Sequence, residues 1–278
     1  MSAERTSAHE QVTVDLVAET GDLDRILGSL GPGDWDIPTP APGWTVSDQV
    51  AHLVMFDERC AWSVAEPDRF AADLSSLREP GRYGSIHEGY RGLGASRLLE
   101  RWREGVDALV AAGRACDPRQ RCAWYGPAMS ATSMLTARLM EAWAHGQDVV
   151  DATGAHREPT ARLRHVAHIA VNARPFAFVT NSLEPPTDDV RVELRAPDGS
   201  MWVWGSSDTE SVRGDALGFC LAATQRRHPD DCGLEVSGDV ATKWVSIIQA
   251  FAGPPGEGRN PRSEEHTSEL QSRVDISY

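Results

Sequence analysis

The sequence predicts two folded parts in series: an up-down bundle of four long helices, then a small α+β domain. Three observations carry this. Four stretches before about residue 158 repeat apolar residues at helical spacing. Beyond about residue 190 the pattern changes to short alternating runs separated by turn residues. The chain, at 278 residues, is long enough for two hydrophobic cores. The expected boundaries are 1–158 for the bundle, 159–253 for the α+β domain and 254–278 for a disordered tail.

The first helix covers about Glu10 to Leu30, where Val12, Leu16, Leu23, Ile26, Leu27 and Leu30 recur at helical spacing. Gly21 is tolerated inside it at a cost of about 1 kcal/mol. GPGDWDIPTPAPG follows, and its four prolines forbid regular structure. That loop reads equally as a plain connector or as one wall of a site entrance. The second helix opens at GWTVSDQVAHLVMF, with Thr45 as N-cap and Asp48 completing a capping box. Val46, Val50, Leu53 and Ala61 form its apolar stripe, with Val54 at the edge. His52 lies off that stripe, on the flank shared with Gln49 and Phe56, and reads as half-exposed.

Pro67 and EPGRYGSIHEGYRGLG then mark a long irregular insertion, with room for a short helix near Arg69 to Leu77. His87-Glu88 is not a zinc-protease signature, because Arg91 stands where the second histidine is needed. The third long helix covers about Ala95 to Ala112 and faces the core with Leu98, Leu99, Trp102, Val106 and Leu109. CDPRQRCAWYGPAM connects it to the fourth, Ser130 to Asp151. There Glu141 and His145 stand one above the other, sharing a face with Met134, Ala137, Arg138 and Asp148. Such a pair can point at one metal ion. On spacing alone the plainer reading, a surface Glu–His pair, is favoured.

A fifth helix is expected over about Thr160 to Ala173, ended by Pro175 and SLEPPTDD. Its His165 and His168 can share a face, and histidines packing at a domain junction are the commoner case. VRVELR alternates, APDGS turns, and MWVW pairs back as a hairpin, with a short edge strand at Ser211-Val212. Asp215 caps a helix reaching about Arg227, GLEVSG is another strand, and Asp239 caps a last helix, VATKWVSIIQAFA. The expected outcome is helices on one face of a small antiparallel sheet.

The formal net charge is −14 with no basic patch, which excludes nucleic acid as an expected partner. No apolar run is long enough to span a bilayer. MSAERTSAHEQ has no apolar signal core, so a cytoplasmic location is expected. Five cysteines without a C-x-x-C pair read as reduced thiols. A single lysine, Lys243, among 27 basic residues suits a GC-rich, actinobacterial coding sequence. RSEEHTSELQS, from Arg262, looks like translated sequencing-adapter DNA, so residues 262–278 are read as an artefact and expected to be disordered.

The GWT-x5-AHL opening of the second helix and the EAWAHGQD block of the fourth resemble the mycothiol-dependent maleylpyruvate isomerase family. The resemblance reaches to the Gly-Pro-Pro-Gly stretch at Gly253. It implies a DinB-like four-helix bundle followed by a sterol-carrier-like α+β domain. It also implies that His52, Glu141 and His145 hold a divalent metal, zinc, and that mycothiol is the thiol co-substrate. Arg226 and Arg227 fall where the family carries a functionally important arginine, which makes them the candidate catalytic residues, able to bind a substrate carboxylate. As arginines at a helix end they read equally as complements to its dipole.

Two imidazoles and a carboxylate leave coordination positions open, as in catalytic zinc sites. Zinc at such a site deprotonates a bound thiol. The thiolate then adds to a conjugated double bond and leaves after rotation, or stays on the product. An isomerase or S-transferase acting on a small electrophilic substrate with a low-molecular-weight thiol is the leading reading. A metal-dependent hydrolase using bound water and a non-catalytic metal- or small-ligand-binding protein are the alternatives. An external thiol is a more natural nucleophile than Cys60, two turns beyond His52. Asp148 reads equally as an orienting partner of His145 and as an exposed carboxylate.

Overall fold

The computed structural model describes residues 7–77 and 79–262. All of the adapter-like tail except Arg262 lies outside the described residues. The chain forms two compact units that meet in sequence at Arg157 and Glu158.

In the first unit, Ser7 caps α1 (Ala8–Ser29) through the Glu10 amide. The expected capping box opens α2 (Val46–Ala65): Thr45 N–H donates to Asp48 at 2.8 Å, and the Asp48 amide donates to Thr45 Oγ1. Then come α3 (Pro67–Leu77), α4 (Arg82–Arg91) and α5 (Ala95–Ala115). A short hairpin of β1 (Arg121–Cys122) and β2 (Met129–Ser130) leads into α6 (Ala131–Thr153), which Ser130 caps and Gly154 closes at φ 70. The four long helices form a ring in which α2 packs against α5 and α6, and α1 packs against the same two. Leu23, Leu27, Val50, Leu53, Leu98 and Trp102 meet inside it.

Two connections are more ordered than expected. Pro32–Asp36 is a 3-10 turn in the proline-rich loop, because Pro32 supplies a preset φ at its first turn. A β-bridge joins Pro38 to Thr45. The irregular insertion contains α4, which has no buried residue and so gave no apolar period to read.

The bundle interior is not wholly apolar. Arg138 on α6 pairs with Asp57 on α2 at 2.8 Å, each side chain 3% exposed. The Trp102 indole N–H donates to the second Asp57 oxygen at 3.1 Å. Burial pushes the Asp57 carboxyl up from its usual range, opposed by Arg138 and Trp102.

In the second unit, α7 (Leu163–Asn172) and α8 (Arg174–Thr180) come first. Pro175 begins α8 rather than ending the region, since proline fits a first turn where no amide is needed. The expected hairpin is present as β3 (Arg191–Arg195) and β4 (Met201–Trp204), with Val192 opposite Trp204. β5 (Ser211–Asp215) is not an edge strand. It runs parallel to β3 and carries β6 (Glu235–Ser237) on its other side, so the sheet is mixed, in the order β4-β3-β5-β6. Fully buried Val212 explains its interior place.

The helix after β5, α9 (Ala216–Ala223), stops short of Arg227, because Gln225 takes a left-handed conformation at φ 58. Asp215 does not cap it through its side chain and instead pairs with Arg195 at 2.6 Å. The last helix, α10 (Asp239–Ser246), follows Gly238 and is capped by Glu210, which accepts the Ala241 amide at 2.8 Å. It ends before Ile247, short of the expected Ala252. Beyond it, the Arg262 amide donates to Asp231 at 3.0 Å.

Three substitutions test this packing by chemical denaturation. Arg138→Met is expected to cost about 3–5 kcal/mol, since it strands a buried carboxylate. Arg103→Met, at the half-exposed pair with Asp24, is expected to cost under about 1 kcal/mol. Gly218→Ala places a methyl 2.2 Å from the Cys232 carbonyl oxygen, and a loss of about 1–3 kcal/mol is expected.

Candidate metal centre

The site is built where α2 faces α6. The capping box fixes the first turn of α2, which turns Gln49 and His52 toward α6. On α6, Glu141 and His145 project from successive turns to meet them. His145 Nε2 lies 3.1 Å from Glu141 Oε2, and His52 Nε2 lies 3.7 Å from the same oxygen. One donor atom from each of the three residues falls within 4.8 Å of the other two. Among the described residues this is the one such cluster of three.

None of the three is a surface residue. His145 is buried, and the side chains of His52 and Glu141 are 17% and 21% exposed. Burial alone would raise the Glu141 carboxyl, but the His145 and His52 rings and the Arg138 charge outweigh it. They hold Glu141 well below the usual carboxylate range. Burial lowers the His52 imidazole despite the neighbouring carboxylate.

The state of His145 follows from a chain of hydrogen bonds. The Thr39 hydroxyl donates to the Trp44 carbonyl at 3.0 Å, so its remaining role is to accept. Gln49 Nε2 fills that role at 2.8 Å, which turns Gln49 Oε1 toward His145. His145 Nδ1 lies 2.5 Å from that oxygen and must donate. A neutral His145 therefore presents the Nε2 lone pair to Glu141. Nε2 and the Glu141 oxygen, 3.1 Å apart, thus share one cation: the proton of the imidazolium form, which keeps Glu141 ionised, or a metal ion in its place.

The residues fit a divalent metal. Bonds of about 2.1 Å in tetrahedral array keep donors about 3.4 Å apart, close to the 3.1 and 3.7 Å separations here. Two nitrogens and one carboxylate oxygen suit zinc.

An aromatic wall surrounds the three. Trp44 packs on His52, His87 and His145 with ring centroids 5.4, 5.3 and 6.0 Å away, and Phe56 lies 4.6 Å from His52. His87, on α4, donates from Nε2 to the Asp48 carbonyl at 3.1 Å and is outside the cluster. Asp148 is fully buried rather than exposed, and the hydrogen bond at His145 Nδ1 is made with Gln49. Cys60 is buried, and burial pushes its thiol far up, which disqualifies it as a nucleophile.

Sequence reasoning missed Gln49 and Tyr83. Gln49 is fully buried on the His52 flank. Tyr83 hydrogen-bonds His52 Nδ1 at 3.3 Å from α4. Arg226 and Arg227 belong to the second unit, just after α9, where their guanidiniums donate to the Thr224 and Arg226 carbonyls. Arg227, His228, Leu234, Val245 and Gln249 help line a cavity of about 700 Å³ there. His165 and His168 lie on α7, and His168 Nε2 is bonded to Asn172.

The sequence profile of the mycothiol maleylpyruvate isomerase N-terminal domain matches residues 16–150, a span that contains all three clustered residues. The chain belongs to the mycothiol maleylpyruvate isomerase family. Two relatives, uncharacterized proteins of Mycobacterium tuberculosis strains H37Rv and CDC 1551, are each 43% identical over 249 residues, covering 88% of this chain and 96% of theirs. A crystal structure of the mycothiol-dependent maleylpyruvate isomerase superposes with a TM-score of 0.55 at 17% identity, covering 92% of this chain and 99% of its own. A histidine-to-alanine mutant of that enzyme gives 0.54 at 16% with the same coverage. At such identity the likeness is one of fold, and it extends through both units.

The hydrogen-bond chain has a direct check. Long-range ¹H–¹⁵N NMR of the metal-free protein at neutral pH should show His145 protonated at Nδ1, and Gln49→Leu should abolish that preference.

Proposed function

We propose that this protein is a metal-dependent enzyme that uses a low-molecular-weight thiol, mycothiol, to isomerise a small electrophilic substrate or transfers that thiol to it. The observation that carries this is the donor set His52, Glu141 and His145, three ligands converging from α2 and α6 with no fourth His, Cys, Asp or Glu joining them among the described residues. A divalent metal held there, zinc by its donor set, lowers the pKa of a thiol that reaches the open side.

The chain's own residues do the rest. Gln49 holds the His145 ring so that Nε2 faces inward. Arg138 and the two imidazoles keep Glu141 ionised at the centre. Trp44 and Phe56 flank the histidines with apolar surface, which limits water at the site. The thiol comes from outside: among the chain's five cysteines four are buried, and the fifth, Cys116, has its thiol raised by burial too. The external thiolate forms an S–C bond to one end of a conjugated double bond, and the π pair moves onto the adjoining carbonyl. The C–C bond, now single, rotates. The pair returns and the S–C bond breaks, so thiol is regenerated in isomerisation. In transfer a proton is taken up and the S–C bond persists. Arg226 and Arg227 are proposed to hold a substrate carboxylate.

His52→Ala, Glu141→Ala and His145→Ala are each expected to lower metal content sharply while the bundle stays folded, measured by elemental analysis and circular dichroism. His165→Ala is expected to leave metal content unchanged. Turnover of an α,β-unsaturated carbonyl substrate should require both metal and added mycothiol, and should survive Cys60→Ser. Turnover without added thiol would shift the assignment to a hydrolase in which water attacks; stoichiometric metal without any turnover would mark a binding protein.

A further inference from the structure

The two histidines of the centre are supported in different ways. His145 is held at Nδ1 by Gln49, a fully buried amide on a rigid bundle helix. His52 is held at the corresponding nitrogen by the Tyr83 hydroxyl, 3.3 Å away. Tyr83 is 41% exposed and stands on α4, a helix with no buried residue. α4 stays in place through polar contacts with α2. His87 donates to the Asp48 carbonyl, Arg91 pairs with the Asp48 carboxylate at 3.4 Å, and the Tyr90 hydroxyl donates to Glu58 at 2.7 Å. The Tyr83 ring lies against His87 and Phe56, with centroids 6.2 and 6.3 Å away. That packing aims its hydroxyl at His52.

We propose that Tyr83 is a positioning residue for His52. Its hydroxyl oxygen accepts the Nδ1 proton and so turns the Nε2 lone pair toward Glu141, as Gln49 does for His145. A ligating imidazole that donates its other N–H to a fixed acceptor is better oriented and more basic, and loss of such a partner typically weakens metal binding by about 10–100-fold. The inference rests on the metal reading above. It adds that the inner ligand, His145, is permanently set, whereas the outer one, His52, is set only while α4 is docked. The Tyr83 bond is longer and wetter than the Gln49 bond, which places its effect near the low end of that range.

The test uses the full-length protein and Co²⁺ alone as probe. Tyr83→Phe keeps the ring and removes only the hydroxyl. Co²⁺ affinity, measured by chelator competition, is expected to fall about tenfold. The visible d–d bands should change in intensity or position, which a purely structural role for Tyr83 would not produce. Tyr90→Phe, which removes α4's bond to Glu58 but not the one to His52, is expected to leave both readouts as in the wild type. Unchanged affinity and spectrum in Tyr83→Phe would overturn the proposal while leaving the metal centre intact. An equal change in Tyr90→Phe with the α4 amide exchange unchanged would also overturn it, because loss of a bond that does not reach His52 would then have the same effect. Wild-type protein that takes up no stoichiometric Co²⁺ would overturn the metal reading itself, and this inference with it.

Discussion

The contact between α2 and α6 is polar at two levels, where bundle helices ordinarily meet through apolar side chains. Arg138 pairs with Asp57 at one level, and His145 bonds to Gln49 at the other. Each tie is buried, so a slip of one helix along the other would strand a charge or an amide in low dielectric. An apolar seam tolerates small slips; a seam with two buried polar ties does not. The register that results brings Glu141 and His145 opposite His52. A site whose donors must agree to within a few tenths of an ångström needs a fixed register of this kind.

The same seam links the two kinds of chemistry in the bundle. Arg138 serves Asp57 structurally, and its charge also helps keep Glu141 ionised. The Thr39–Gln49–His145 chain begins in the proline-rich loop. That loop is therefore part of the site's support rather than a plain connector. Trp44, at its end, stacks on His145 and packs on His52.

Much of this was legible from residues alone. The long helices showed because each buries an apolar stripe, and the start of α2 showed because its capping box is local in sequence. The pairing of Glu141 with His145 could be read from one turn of helix, but bringing His52 to them depends on which helices are neighbours, which periodicity does not state. Gln49 was invisible because a buried glutamine on a polar flank looks like a surface one. α4 was invisible for a different reason. Tyr83, His87, Tyr90 and Arg91 do recur at helical spacing, but the stripe is polar and aromatic, interrupted by Gly84 and Gly89. In the second unit, the strands were found by alternation while the parallel pairing of β3 with β5 was not, since strand order is set by packing distant in sequence. The end of α9 depended on Gln225 adopting a left-handed conformation, which side-chain type does not announce.

The poor burial of α4 has a consequence for how the molecule breathes. A helix fastened mainly by a few polar contacts to Asp48 and Glu58 and by the packing of Tyr83, His87 and Tyr90 detaches at a free energy below that of global unfolding, whereas α2 and α6 open only with the bundle. The first unit thus contains two tiers of stability, one short helix on a slow-exchanging frame. His52 sits on the boundary between them, so the local opening rate of ten residues, Arg82 to Arg91, sets how often that ligand meets solvent.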